Sequence, residues 1–80
     1  MKFKYILFDT VRGVPNVPVI FPTFIDHQVI ANTFRSEVIS AGFCEFDEDH
    51  FYGCSGESVS LKKASRNDED TKLIKRAGMF

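Results

Sequence analysis

The stretch Gly53-Cys54-Ser55-Gly56-Glu57-Ser58-Val59-Ser60, followed by Lys62, Lys63 and Arg66, has the residue types best suited to binding chemistry. Small residues let backbone amides close on an anion, serine hydroxyls donate, and a helix starting near Ser65 and Arg66 carries positive potential. Ser55, Gly56, Ser58, Ser60, Lys62, Lys63 and Arg66 would thus suit an anionic small molecule such as a phosphate-bearing signalling nucleotide, held across a subunit boundary. The GxxxxGK[ST] spacing of a P-loop is absent, and a bulged, serine-rich edge strand accounts for the same residues without a ligand.

Catalytic and metal chemistry have weaker support. Cys54 beside Ser55 is a candidate nucleophile with His27 or His50 as base, but no Gly-x-Ser-x-Gly elbow or orienting acid accompanies it. Cys44, His50 and Cys54 could converge on one hairpin, yet no CxxC spacing supports a metal site. The expectation is a non-enzymatic protein needing no metal or cofactor. A second candidate surface is acidic: Glu45, Asp47, Glu48 and Asp49 cluster where a hairpin turn is expected, and would face a basic protein partner. The ordinary alternative is a charged tip that resists edge aggregation.

Charge is distributed unevenly. Glu37 to Glu57 holds six acidic residues and no lysine or arginine, whereas Lys62 to Arg76 holds six basic residues against Asp68, Glu69 and Asp70. The net charge of −1 predicts neither nucleic-acid nor acidic-membrane binding. Phe3, Tyr5, Phe51 and Tyr52 would stack on bases if exposed, but a chain of 80 residues needs most of its aromatics in the core. Self-association is a common remedy for so small a domain, so a homo-oligomer is expected. Two cysteines, no signal-peptide pattern and no membrane-spanning apolar run imply a reducing, cytoplasmic setting.

The elements that would position these residues follow from periodicity. Ser36 to Leu61 reads as a central hairpin around which the chain is organised, turning at Asp47 to His50. A three-residue turn centred on Asp49 would set Cys44 opposite Cys54 and Phe46 opposite Tyr52. The opening Met1 to Thr10 reads as a strand that runs through Phe8 and stops at Asp9 and Thr10, Val11 to Asn16 as a wide loop, and Val17 to Phe21 as an edge strand marked by Pro18. Ile25, Val29, Ile30 and Phe34 mark a helix capped by Asp26 and running to about Arg35, with His27 a surface or capping histidine. Ser65, with Asp68 reaching back, signals a second helix that buries Leu73, Ile74 and Ala77 and is capped by Gly78. The sum is one α+β domain of ββαββα order, with a four-stranded, largely antiparallel sheet and both helices on one face.

Val17 to Pro22 (VPVIFP), Ser40 to Cys44 (SAGFC) and Gly56 to Leu61 (GESVSL), with Ser65 and Arg66, resemble small uncharacterised proteins encoded by phages and prophages. The likeness spans most of the chain and brings no assigned active site. It implies an accessory role, either as an inhibitor of bacterial defence of the anti-CRISPR type acting through a protein partner, or as a sponge that sequesters signalling nucleotides.

Overall fold

Tyr5, Ile6, Leu7 and Phe8 are consecutive, and each is at most 1% exposed. Side chains alternate between the two faces of a strand, so such a run requires a strand covered on both sides. A computed structural model, describing residues 1–77, shows how this is met. The elements in order are β1 (Lys2–Val11), β2 (Val14–Phe21), α1 (His27–Phe34), β3 (Val38–Phe46), β4 (Phe51–Ser55), β5 (Glu57–Ser58), β6 (Lys63–Ala64) and α2 (Asp68–Arg76). β1 to β4 form an antiparallel sheet in the order β2-β1-β3-β4, and β5 pairs with β6. The α+β class and the four-stranded antiparallel sheet are as expected. The simple ββαββα order is not, because the segment after Ser55 leaves the sheet at Gly56 and makes a small ribbon of its own.

The expectation of both helices on one face is corrected. Tyr5, Cys44, Phe51 and Cys54 form one cluster with Ile74 of α2, whereas Ile6, Phe8, Phe21 and Ala41 pack with Ile25, Ile30 and Ala31 at α1. One helix therefore covers each face, and the inner strand β1 takes the central place assigned to the β3–β4 hairpin. Leu61, from the β5–β6 loop, joins the α1 side.

Local chemistry explains the boundaries. The first hairpin is tight, with Arg12 and Gly13 at φ of 51° and 82° between the paired Val11 and Val14. Positive φ at both central residues is the twist that matches paired strands. Pro15 and Asn16 thus lie in β2 rather than in a wide loop, and Pro18 sits on the sheet edge, where a missing N–H is tolerated. Asp26 caps α1 by accepting from the Gln28 N–H, and Arg35 ends it in the left-handed region. Within α1, Val29 is exposed and His27 is buried, the reverse of the expected pattern.

Cys44 faces Cys54 as expected, but Phe46 faces Phe51 and not Tyr52. β4 carries one extra residue against β3 at that point, and such a bulge reassigns the faces beyond it. α2 also starts differently. Its N-cap is Asn67 with no side-chain cap bond, while Ser65 Oγ accepts from the Asn67 N–H and Asp70, rather than Asp68, reaches back to the Arg66 N–H. Leu73 is half-buried, Ile74 fully buried and Ala77 exposed. The expected Gly78 cap lies outside the described residues.

One buried ionic group joins these parts. Asp70 is 0% exposed. Its Oδ2 lies 2.5 Å from the Tyr5 hydroxyl and 2.9 Å from the Arg66 N–H, and its Oδ1 accepts from Arg66 Nε at 2.8 Å. The Tyr5 hydroxyl also lies 2.6 Å from Ser65 Oγ. With one proton to give, the phenol gives it to the carboxylate, which has none. Burial pushes the Asp70 carboxyl up, but hydrogen bonds from Tyr5 and the Arg66 N–H outweigh it and hold the group below the ordinary range. Burial and the bond to Asp70 push the Tyr5 phenol well up.

Gly42 admits the ribbon. A Cβ there would lie 2.6 Å from the Ser55 carbonyl oxygen and 3.1 Å from Ser65 Cβ. Gly42→Ala is expected to lower the unfolding free energy by about 2 kcal/mol through overpacking against backbone, as measured by urea denaturation. Tyr5→Phe is expected to lower it by a similar amount, about 2 kcal/mol, because the buried carboxylate loses a charge-assisted bond.

Candidate functional site

The acidic cluster is organised by one of its own members. Asp47 leaves β3 with its N–H donating to the His50 carbonyl. Its Oδ1 accepts from the Asp49 and His50 N–H groups at 3.1 and 3.0 Å, and its Oδ2 accepts from the Tyr52 hydroxyl at 2.6 Å. An aspartate in this position imitates a backbone turn and fixes the loop. The Tyr52 hydroxyl, then the Asp49 N–H, hold the Asp47 carboxyl below its usual value, and Asp47 in return raises the Tyr52 phenol.

Around that turn, Glu45, Glu48 and Asp49 are exposed, and among the described residues no ion pair involves them. The His50 ring meets Tyr52 edge-on with centroids 4.6 Å apart, and Tyr52 remains 60% exposed. A hollow of about 210 Å³ runs from Asp47, Glu48, Asp49, His50 and Phe51 to Lys75 of α2. Asp47, Glu48 and Asp49 are thus held on one turn with His50 and Lys75 at its hollow, while Glu45, at the end of β3, lies on the Tyr52 side. Tyr52 reads from the sequence only as a stacking aromatic, and its place beside Asp47, like that of Lys75 near the turn, depends on the bulge in β4 and the docking of α2.

The serine-rich segment is arranged differently. Ser58 is buried, its Oγ accepting from the Leu61 N–H and lying 3.5 Å from Ser60 Oγ. Ser60 donates to Asp26 Oδ1 at 2.9 Å, tying the ribbon to the start of α1. Arg66 pairs with Asp70 and, through Nη1, with Glu69 at 2.6 Å. Ser55, Gly56, Lys62 and Lys63 are exposed, and Gly56 takes a φ of 79°. The first turn of α2 carries Asp68, Glu69 and Asp70, which oppose an anion at that terminus. Ser60 and Arg66 already serve carboxylates, and Ser58 is turned inward to the Leu61 N–H.

On the α1 side, a cleft of about 450 Å³ is lined by Lys4, Asp26, His27, Phe43, Glu57, Val59 and Ser60. Lys4 Nζ donates to the Ile25 carbonyl at 2.9 Å. His27 Nε2 donates to the Gly42 carbonyl at 3.0 Å, and its ring stands between the edges of Phe21 and Phe43. The Gln28 N–H, then Ser60, hold Asp26 below its usual value, whereas burial pushes the His27 imidazole down. His27 is a neutral core side chain here and not a surface group.

His27 and Cys54 lie on opposite faces of the sheet, so they do not form the dyad considered from sequence. Burial pushes the Cys44 and Cys54 thiols up to about 12 and about 11. No group of three or more His, Cys, Asp or Glu side chains among the described residues could hold a metal ion. Phe3 stacks on Phe46 and Tyr5 and Phe51 are buried, which leaves Tyr52 alone of the four candidate stacking aromatics exposed. No helix among the described residues is long and apolar enough to cross a membrane.

In comparisons with known proteins, no family model, no curated protein and no solved structure matches the chain.

Two outcomes follow from these contacts. Because the folded His27 resists a proton that the unfolded side chain accepts near its ordinary pKa of about 6.5, stability is present above that pH and falls as the solution is acidified from about pH 7 to about pH 5. His27→Gln should flatten that part of the urea-midpoint profile. Asp47→Ala should move Tyr52 ionisation down toward its ordinary value, read by ultraviolet titration of the phenol.

Proposed function

We propose that this chain is a small non-enzymatic binding protein that acts by occupying a protein partner, with the turn between β3 and β4 as its contact surface. The observation that carries the reading is the division of labour at the turn. Asp47 is engaged in holding the loop, so Glu45, Glu48 and Asp49 are presented on a fixed frame with exposed Tyr52 beside them. Preorganised carboxylates next to an aromatic suit a basic surface, where lysine and arginine meet the acids and arginine can also stack on the phenol.

The resemblance to small phage proteins supports placing the partner among the components of bacterial defence, with inhibition by occupancy as the mode of action. A basic partner surface of that kind would ordinarily engage nucleic-acid phosphates, and the acidic turn would compete for it. This reading is favoured over a nucleotide sponge because Ser60 and Arg66 are committed to Asp26 and Asp70.

The test is capture of partners from bacterial lysate by the wild-type chain and by a Glu45→Lys, Glu48→Lys, Asp49→Lys variant. Asp47 is left in place to keep the turn. Each exposed charge at a contact rim contributes up to about 1 kcal/mol, so the triple reversal should weaken the interaction by about a hundredfold, and added salt should weaken the wild-type interaction. Capture of the same partner with unchanged affinity by the reversed variant overturns the reading. A tightly bound nucleotide in native mass spectra, lost on Lys62→Ala with Lys63→Ala, would favour the sponge.

A further inference from the structure

Cys44 and Cys54 are opposite each other in the β3–β4 pair, and both are free thiols. In an antiparallel pair, directly opposed residues either exchange both backbone hydrogen bonds or exchange none, and in the second kind the Cα atoms are closer, about 4.5 Å apart. Two backbone bonds show which kind this is. The Cys54 N–H points away from β3 and donates to Thr71 Oγ1 on α2 at 2.9 Å. The Phe46 N–H donates to the Met1 carbonyl, on the β1 side of β3. The extra residue at the bulge belongs to β4, so β3 is regular between Cys44 and Phe46, and the Cys44 N–H points to the β1 side as well. Neither cysteine bonds across the pair, and Cys44 and Cys54 occupy the close position. A separation of about 4.5 Å lies within the range a disulfide spans.

We propose that Cys44 and Cys54 are a dithiol modification site that closes to a cross-strand disulfide by exchange with a low-molecular-weight disulfide such as oxidised glutathione. Cys54 is 7% exposed and Cys44 1%, so Cys54 reacts first. Its thiol gives up a proton to solvent, and the thiolate attacks one sulfur of the small disulfide, forming a mixed disulfide and releasing one glutathione thiolate. The Cys44 thiolate then attacks the Cys54 sulfur, the Cys44–Cys54 bond forms, and the second glutathione thiolate leaves. In total the protein loses two electrons and two protons, and the oxidised glutathione becomes two thiols.

Burial keeps both thiols protonated at neutral pH, so the exchange is slow and needs β4 to open. β4 is a five-residue strand on the sheet edge, and Gly53, beside Cys54, has a φ of 136°; but β4 supplies Phe51 and Cys54 to the α2-side core, so opening it separates them from Tyr5 and Ile74, which adds to the slowness of the exchange. Closure would staple the base of the hairpin that presents Glu45, Glu48 and Asp49. It does not depend on what that turn binds.

The experiment equilibrates the complete chain in glutathione buffers of increasing oxidised fraction, starting once from reduced protein and once from protein oxidised in denaturant. Samples are quenched with acid, alkylated and weighed by mass spectrometry. The expected result from both directions is loss of both alkylatable thiols in one step, giving a single chain two hydrogens lighter than the dithiol. Cys44→Ser and Cys54→Ser variants should stop at a mixed disulfide. If both thiols stay alkylatable from both directions, or if separate glutathione adducts or a disulfide-linked pair of chains accumulate, the proposal is overturned. Should the serine variants fail to fold, the wild-type mass decides.

Discussion

Asp70 has no exposure to solvent, and removing a carboxylate from water costs several kcal/mol unless donors replace its hydration. Here the donors come from three places: the phenol of Tyr5 on the inner strand β1, the backbone of Arg66, and the Arg66 guanidinium. The fully buried Ser40 hydroxyl lies close enough to help hold the charge without forming a well-aimed hydrogen bond. Since Asp70 belongs to α2 and Tyr5 to β1, the carboxylate is satisfied only when the helix sits on that face of the sheet. Ser65, at the Tyr5 hydroxyl and above Gly42, brings the chain from the ribbon to the same point.

The two-sided core follows from this. α2 covers the face with Tyr5, Cys44 and Cys54, which leaves Ile6, Phe8 and Phe21 to be covered by α1. The two coverings meet at Gly42, whose carbonyl accepts from His27 on one side while its missing side chain admits Ser65 on the other. The β3–β4 turn stands outside both coverings. Its own carboxylate at Asp47 and the Tyr52 hydroxyl hold it, so the backbone that carries Glu48 and Asp49 is already ordered while their side chains stay in solvent.

The serine-rich segment shows the same electrostatic rule working against a ligand. The groups that would recognise a phosphate also recognise a carboxylate, and the fold supplies carboxylates first. Ser60 finds Asp26, and Arg66 finds Glu69 and Asp70. These two donors therefore serve as internal fastening, Ser60 between the ribbon and α1 and Arg66 at the start of α2.

What the sequence determined was local. Strand periodicity, the Asp26 cap, Pro18 at an edge and the opposition of Cys44 to Cys54 follow from residue types within a few positions of one another. The both-face burial of β1 was also written in the unbroken apolar run from Tyr5 to Phe8, although reading both helices onto one face concealed it. Tertiary structure decided the rest. Which carboxylate would be buried, Asp68 or Asp70, depends on where Tyr5 lies, 65 residues away in sequence. Whether His27 would be a surface group or a core one depends on Phe21, Gly42 and Phe43 closing around it. Which residue would face Phe46 depends on a single extra position in β4. These outcomes turn on pairings between distant segments, where a charge or a register is settled by the partner it meets and not by its neighbours in the chain.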